Sequence, residues 1–520
     1  KPYLAITRSD DVEPHSLVLL TMLYHPNIPE KNKSVEDTCN ILTCKTLKRE
    51  EIKYKNCQND HHLHHAALGF YNSGFEEAVV VVVDGAGAWI EDSGHEVETI
   101  YKVSYPCMFE KLHQRAIPWD ENHTIKNPTT GIGMVYSGVA HYLGFGHLGS
   151  GSLMGLTPFG KDNSEIKTFL KDDQVDESLW KRVRQGTKFI PYDYLDGNVP
   201  VFYNIKDPTK KFQKYCDLAY RCQKDFESYM INLIKKAIDL SGCNKVVLSG
   251  GCALNCVANY EYLKHLPKDV ELFVEPICYD AGLSLGQAML EWRWGTGSTE
   301  IRPLNSLYLG PEQQHEYPDD AYDVSLSDVV DVIDSGEAVA IFQGRSEQGP
   351  RALGNRSLLF DPRVPDARFK MNDIKGREPF RPFAASVMQE HASTYFDMRG
   401  LKESPFMMYA MDAYEEHWDT IPGVLHVDKT CRIQTVTREQ NQNYYDLIDA
   451  FYERTGVPML LNTSLNLSGD TICETVKDVV DTLKRSKINY AYFPECDKMI
   501  HVPENSNAGK KGKINYAIYK

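Results

Sequence analysis

Four histidines fall within five residues, in the run His61-His62-Leu63-His64-His65. On a helix, His61 and His65 share one face a turn apart, a spacing that lets two imidazoles reach one metal ion. The bland alternative is a polar helix surface on which the histidines are incidental. Two carboxylates suit the same chemistry. Asp84 ends the β-branched run at residues 78–83 and precedes Gly85, and Asp280 stands in Tyr279-Asp280-Ala281-Gly282 after the apolar Leu272-Phe273-Val274. A charge at a strand end beside glycine faces a cleft more often than a core, although either Asp alone could equally cap a helix. Two His with two carboxylates fit a borderline or hard divalent ion: iron(II), manganese or zinc.

Two glycine turns come next. Asp84-Gly85-Ala86-Gly87 and Ser249-Gly250-Gly251 each follow a strand-like run, so their N–H groups could approach phosphate without a Cβ in the way, or they could simply be tight turns. Neither a Walker A loop nor a convincing G-x-G-x-x-G fingerprint occurs. The third constellation is basic. Between Arg345 and Arg381 lie nine cations (Arg345, Arg351, Arg356, Arg363, Arg368, Lys370, Lys375, Arg377, Arg381) and five acids, a local +4 in a chain of net charge −15. Interleaved with Gly-Pro and Pro-Phe pairs, these arginines read as loops converging on a compact anion rather than as an amphipathic helix, because the planar guanidinium grips carboxylate or phosphate bidentately. A solvated face is the alternative.

The elements that must carry these groups are those of an α/β protein. The chain has 520 residues, which at about 150 per domain suggests two to four domains. Its acidic balance disfavours bulk binding to nucleic acid or anionic membrane. Thirteen scattered cysteines without any Cys-x-x-Cys pair fit a reducing compartment. No apolar run approaches the roughly 20 residues of a membrane span, and the opening Lys-Pro-Tyr-Leu lacks a signal-peptide core. The expectation is a cytoplasmic protein. Phe226, Met230, Leu233, Ile234 and Ala237 repeat at helical spacing and predict a helix over about 218–240. Gly242, a strand at 246–248 and the Ser249 turn follow, the order of a nucleotide-binding α/β unit. Residues 295–320 read as a linker. Beyond it come a helix around 329–333, a strand at 338–342, a basic loop region over 344–382, a strand at 457–461 leading into Asn462-Thr463-Ser464, and a polar tail.

Several longer strings together resemble the NodU/CmcH-type O-carbamoyltransferases. They are His61-His62-Leu63-His64-His65-Ala66-Ala67, Val81-Val82-Val83-Asp84-Gly85 and the run from Leu248 to Asn259 through Ser249-Gly250-Gly251-Cys252. Gly349-Pro350-Arg351-Ala352-Leu353-Gly354-Asn355-Arg356-Ser357 and Arg377-Glu378-Pro379-Phe380-Arg381-Pro382-Phe383 belong with them, as do His426-Val427-Asp428 with Arg432 and Leu461-Asn462-Thr463-Ser464-Leu465-Asn466. The resemblance implies a duplicated actin/hexokinase-like (ASKHA) α/β domain over 1–310, similar to the tRNA threonylcarbamoyl-adenosine transferase, and a YrdC-like α/β domain over 325–503, with 504–520 as tail. It implies that carbamoyl phosphate and ATP, with Mg²⁺, form a carbamoyl-adenylate in the second domain. The carbamoyl group then passes to an acceptor hydroxyl, or less readily an amine, in the first.

Carried over by motif, His61, His65, Asp84 and Asp280 match the family's metal ligands. Gly85, Gly250, Gly251 and Asn255 match its nucleotide loops. Arg345, Arg351, Lys375, Arg381, Arg432, Ser464 and Asn466 match the carbamoyl phosphate and ATP pocket, with Arg351, Lys375 and Arg381 in catalytic roles. The resemblance implies a catalytic base near the start, whose counterpart is His15 in Pro14-His15-Ser16-Leu17. No Asp follows it, and it precedes His61 by only 46 residues, so the N-terminal lobe departs from the family pattern. Ser150-Gly151-Ser152 also stands where a charged pair often precedes Met154-Gly155-Leu156. The other readings are a carbamoylation enzyme for tRNA, which the acidic balance disfavours, one for hydrogenase maturation, which the missing Cys-x-x-Cys pairs disfavour, and a catalytically inactive nucleotide-binding protein. The partners expected are small molecules, a homodimer being compatible.

Overall fold

The computed structural model describes residues 60–90, 93–117, 130–146, 148–176, 180–182, 189–191, 210–311 and 316–502. His15 and the tail at 504–520 lie outside them. The first unit is built on a six-stranded sheet of β1 (Glu77–Val83), β2 (Trp89–Ile90), β3 (Gly94–Ser104), β4 (Met108–Ile117), β5 (Lys245–Ser249) and β6 (Glu271–Val274). Its order is β6-β5-β1-β3-β2, with β4 also on β3. β1, β5 and β6 run parallel, and β2 to β4 are antiparallel. The apolar run of β1 is explained by burial of both its faces. Val79, Val81 and Val83 join the main core, whereas Ala78, Val80 and Val82 pack with Ala66, Ala67 and Phe70. Because β1 and β5 are parallel, Asp84 and the Ser249-Gly250-Gly251 turn emerge at the same end of the sheet.

Among the described residues six α-helices accompany the sheet: α1 (His61–Ser73), α2 (Ile132–Tyr142), α3 (Ser150–Leu156), α4 (Lys210–Ser241), α5 (Cys256–His265) and α6 (Leu283–Thr296). The helix expected over 218–240 is α4, with Phe226, Met230, Leu233, Ile234 and Ala237 all buried. It starts earlier than expected because Phe212, Tyr215, Cys216 and Leu218 are buried on it too. Helices α1 and α6 approach closely, and a Cβ at Gly286 would fall 2.0 Å from the His64 carbonyl oxygen. The twofold repeat implied by the resemblance is not seen among the described residues, where the first unit holds one large sheet.

The second unit is a nine-stranded mixed sheet of order β7-β15-β14-β8-β9-β13-β10-β12-β11. Its elements in chain order are β7 (Tyr322–Asp323), α7 (Leu326–Asp334), β8 (Val339–Phe342), β9 (Arg356–Phe360), α8 (Ala367–Lys375), β10 (Ala384–Met388), α9 (Gln389–Tyr395) and β11 (Ala410–Asp412). β12 (Thr430–Val436), α10 (Gln442–Thr455), β13 (Met459–Ser464), α11 (Val476–Arg485), β14 (Tyr490–Phe493) and β15 (Lys498–His501) complete it. The start of α7 is fixed by a capping box, Ser325 receiving the amide of Asp328 while the Asp328 carboxylate accepts from the amide of Ser325.

Two expectations need correcting. The basic stretch 344–382 is not a set of loops, since it contains β9 and α8. Ser357 to Phe360 are fully buried and form a central strand, while Ala367, Phe369, Met371 and Ile374 give α8 an apolar face. The described residues of 295–320 also do not form a free linker. Helix α6 runs to Thr296, and the irregular segment beyond it is strapped down: Leu307 is buried, Leu304 N donates to Asn72 O, and Gly310 N donates to Ser346 O. One apolar core runs through both units, from Val79 and Ile234 to Phe360 and Ile500. No helix among the described residues is long and apolar enough to cross a membrane.

Candidate metal centre and anion pocket

His61, His62, His64 and His65 are all buried, which removes the surface reading of the histidine run. His61 and His65 face Asp84 and Asp280, and the four residues offer ligand atoms that lie within 4.8 Å of one another. His61 Nε2 is 3.1 Å from Asp84 Oδ2 and 3.5 Å from Asp280 Oδ1, and His65 Nε2 stands 3.6 and 3.7 Å from the same oxygens. Each residue comes from a different structural necessity. The histidines are one turn apart on α1, Asp84 is the first residue past β1, and Asp280 opens the 3₁₀ turn before α6. His62 points elsewhere, its Nδ1 2.8 Å from Thr99 Oγ1.

The local electrostatics favour a cation at this point. Burial works against charge on all three titrating groups, yet the carboxylates of Asp280 and Asp84 lift His61 to about 10. Conversely the imidazoles hold Asp84 well below the usual carboxylate range and lower Asp280. Two anionic oxygens and two imidazoles converge, and both ring nitrogens of His65 are buried without a hydrogen bond. This donor set fits a divalent ion coordinated by nitrogen and oxygen. Asp280 is the more exposed carboxylate, 43% against 15% for Asp84, so the centre opens on that side.

The glycine turns serve this carboxylate. Gly85 N donates to Asp84 Oδ1 at 2.7 Å. Gly250 has φ +86°, and a Cβ there would lie 2.3 Å from Val83 O; at Gly251 it would lie 2.9 Å from Asp84 Oδ1. Asn255 caps α5, its Oδ1 accepting from Ala258 N, and it exchanges two hydrogen bonds with Gln223. Both turns therefore meet the candidate metal centre, while Asn255 braces the second turn's exit.

Asp280 is placed by a residue that sequence reasoning missed. Glu275, fully buried, accepts from Ile277 N and Asn72 Nδ2 and so ties the loop bearing Asp280 to α1. Burial raises its carboxyl to about 7, against the smaller pull of those donors and of His65. Because the folded state holds this proton more tightly than the unfolded chain, the associated stability is complete below pH 4.5 and is lost as pH rises through 7. It amounts to about 3 kcal/mol. Urea midpoints at pH 5 and pH 8 are expected to differ less in Glu275→Gln than in the parent. An equal difference in both would show that this carboxyl does not titrate during folding.

The second cluster is cationic. Lys375, at the end of α8, is buried, and its Nζ donates to Ser464 O, Ser464 Oγ (3.2 Å) and Asn466 Oδ1 (2.9 Å). Burial, then repulsion from Arg377 and Arg381, pushes its pKa well below the usual lysine value. Burial likewise lowers Arg377, with repulsion from Arg381 and Arg432 behind it, and brings Arg351 to about 10 with Arg432 next in weight. Arg351 Nε and Arg432 Nε are buried without a hydrogen bond. Glu378 is the carboxylate at hand, its Oε2 3.5 Å from Arg381 Nη1. Like charges gathered at half-buried positions around the buried Lys375 with so little compensation are costly, and an anion between them would offset that cost.

Of the sequence-predicted pocket residues, Arg351, Lys375, Arg381, Arg432, Ser464 and Asn466 come together. Arg345 does not join them: it is hydrogen-bonded to the carbonyls of Leu309 and Gly310. Other members of the basic block also turn away. Arg356 is fully buried over the Phe342 ring, Arg363 pairs with Asp361 and Asp334, and Lys370 bonds the Gly336 carbonyl. Arg377 was counted among the cations but given no role, although it lies in the same Arg-Glu-Pro-Phe-Arg string as Arg381. The two clusters meet, because Arg351 Nη2 reaches Leu254 O (3.4 Å) and Gly349 lies against Pro276 and Ile277, on the loop leading to Asp280.

Residues 4–289 match the family described as "Carbamoyltransferase N-terminus" and residues 330–497 that described as "Carbamoyltransferase C-terminus". The chain is 32% identical over 448 residues to nodulation protein NolNO of Sinorhizobium fredii, covering 81% of this chain but 61% of that protein. It is 32% identical over 443 residues to nodulation protein NolO of Bradyrhizobium diazoefficiens, covering 81% and 75%. A third relative is the 3'-hydroxymethylcephem-O-carbamoyltransferase of Streptomyces clavuligerus, 36% identical over 238 residues, 45% of this chain and 44% of that one.

Proposed function

The chain belongs to the carbamoyltransferase family, and from that premise we propose that it is an ATP-dependent O-carbamoyltransferase working in two half-reactions. In the first, carbamoyl phosphate, ATP and one water become carbamoyl-adenylate, pyrophosphate and phosphate. In the second, an acceptor hydroxyl attacks the carbamoyl carbon, the bond to the adenylate phosphate breaks, and AMP and a proton leave. The single observation that carries the reading is the pairing of a poorly compensated cation cluster, half-buried around the buried Lys375, with an adjoining His/Asp centre. The likeness to the 3'-hydroxymethylcephem-O-carbamoyltransferase supports oxygen as the acceptor atom.

Activation belongs to Arg351, Lys375, Arg377, Arg381 and Arg432. These side chains would bind the two phosphate-bearing substrates and stabilise the charge that develops as pyrophosphate departs. Ser464 and Asn466 fix the Lys375 ammonium through its three hydrogen bonds. His61, His65, Asp84 and Asp280 would hold a divalent ion, which when bound supplies a positive charge to the adenylate phosphate and the reacting carbonyl. Mg²⁺ would accompany ATP. In domain terms the six-stranded sheet unit is read as the ASKHA-type transfer domain and the nine-stranded unit as the YrdC-like activation domain. The parallel β1, β5 and β6 with their carboxylate at the strand end support the first assignment.

The test needs no acceptor. Metal-loaded protein given carbamoyl phosphate, ATP and Mg²⁺ is expected to release pyrophosphate and phosphate in equal amounts, each requiring the other substrate. A folded, metal-loaded sample that releases neither would overturn the proposal.

A further inference from the structure

Arg351 is a half-buried cation held weakly by its own side chain, since its hydrogen bond among the described residues is the 3.4 Å contact with Leu254 O and its buried Nε has none. Its position must therefore come from its main chain. The loop joining β8 to β9 is secured with unusual completeness. Asn462 Nδ2 donates to Ala352 O (3.2 Å), Gln434 Nε2 and Tyr308 OH donate to Leu353 O (2.9 and 2.8 Å), and Gln343 Nε2 donates to Gly354 O (3.0 Å). These fix carbonyls. The amides converge on one atom, Glu347 Oε1, which accepts from Leu353 N (2.7 Å), Asn355 N (2.9 Å) and Arg356 N (3.3 Å).

Glu347 lies four residues before Arg351 and receives three amides that follow it, those of Leu353, Asn355 and Arg356, so its carboxylate closes the loop that carries Arg351. It is buried, and its other oxygen, Oε2, accepts no hydrogen bond. We propose that Glu347 is a positioning residue for Arg351: one carboxylate oxygen organises the loop amides and thereby sets where the guanidinium stands in the anion pocket. The proposal rests on the reading that Arg351 serves carbamoyl phosphate activation. A single acceptor oxygen at that reach suffices, so the role depends on geometry and not on the negative charge.

The experiment compares Glu347→Ala, Glu347→Asp and Glu347→Gln by pyrophosphate release from ATP and carbamoyl phosphate. Alanine loses the acceptor, and aspartate keeps the charge but withdraws it by one methylene. Both are expected to raise the KM for carbamoyl phosphate tenfold or more, whereas glutamine, which keeps the oxygen, stays within about threefold of the parent. The double variant Glu347→Ala/Arg351→Ala is expected to be no worse than Arg351→Ala, because the acid acts through the arginine. Glutamine as impaired as alanine, unchanged kinetics in alanine and aspartate, or defects that multiply in the double variant would each overturn the inference. If Glu347→Ala does not fold, the aspartate and glutamine pair decides. If Arg351→Ala itself leaves pyrophosphate release intact, the reading of Arg351 fails, and that outcome is separate from a failure of Glu347.

Discussion

Arg351→Ala is expected to stop pyrophosphate release, lowering it by at least about a hundredfold, the scale on which a preorganised donor to developing charge contributes. The same variant should be no less heat-stable than the parent. Arg351 is half-buried, repelled by Arg432 and paired to no carboxylate among the described residues, so its removal relieves a cost of folding while deleting a ligand contact. That combination separates a binding role from a structural one. Lys375→Ala is expected to give the same catalytic loss, but with reduced stability, because Ser464 and Asn466 lose their shared donor. Pyrophosphate release and thermal midpoints measured on both variants check this. Retained activity in Arg351→Ala would remove the cation cluster from the chemistry.

Asp84→Asn should have the complementary effect. The asparagine keeps the acceptor for Gly85 N and the shape of the turn but removes the negative charge. Divalent-ion affinity is expected to fall by at least about a hundredfold, and His61, relieved of one of the two carboxylates that raise it, moves back down toward the ordinary histidine value. Pyrophosphate release should persist, while AMP no longer accompanies acceptor consumption. Metal content by elemental analysis and the two product assays test the division of labour. Loss of both half-reactions in this variant and in Arg351→Ala alike would show that the clusters form one site.

Much of the centre was legible because its signals are local. Two histidines four apart need only a helix, and Asp84 needs only the end of an apolar strand. Asp280 was found by the same strand-end logic, though its loop is held by Glu275 through contacts to α1 that no spacing reveals. The basic block was harder. Counting charges cannot say which way each side chain turns, and Arg356, Arg363 and Lys370 spend theirs on carbonyls, rings and carboxylates of the second unit. Reading the block as loops failed because Phe, Met and Leu between the arginines are numerous enough to bury a strand and a helix. Glu347 left no local trace, since its three donors lie six, eight and nine residues on.

The apolar core that passes without interruption from the first sheet to the second carries a consequence for the origin and engineering of the molecule. Were the chain divided near residue 310, each piece would present to water the oily face that its neighbour now covers, an invitation to aggregation. The two units therefore cannot be inherited as freely exchangeable modules. A swap between relatives must carry matching surfaces across the seam where Phe145 and Phe159 meet Phe380, and Gly155 meets His426. The two units are accordingly expected to melt together, and a destabilising lesion in one half to lower the thermal midpoint of both.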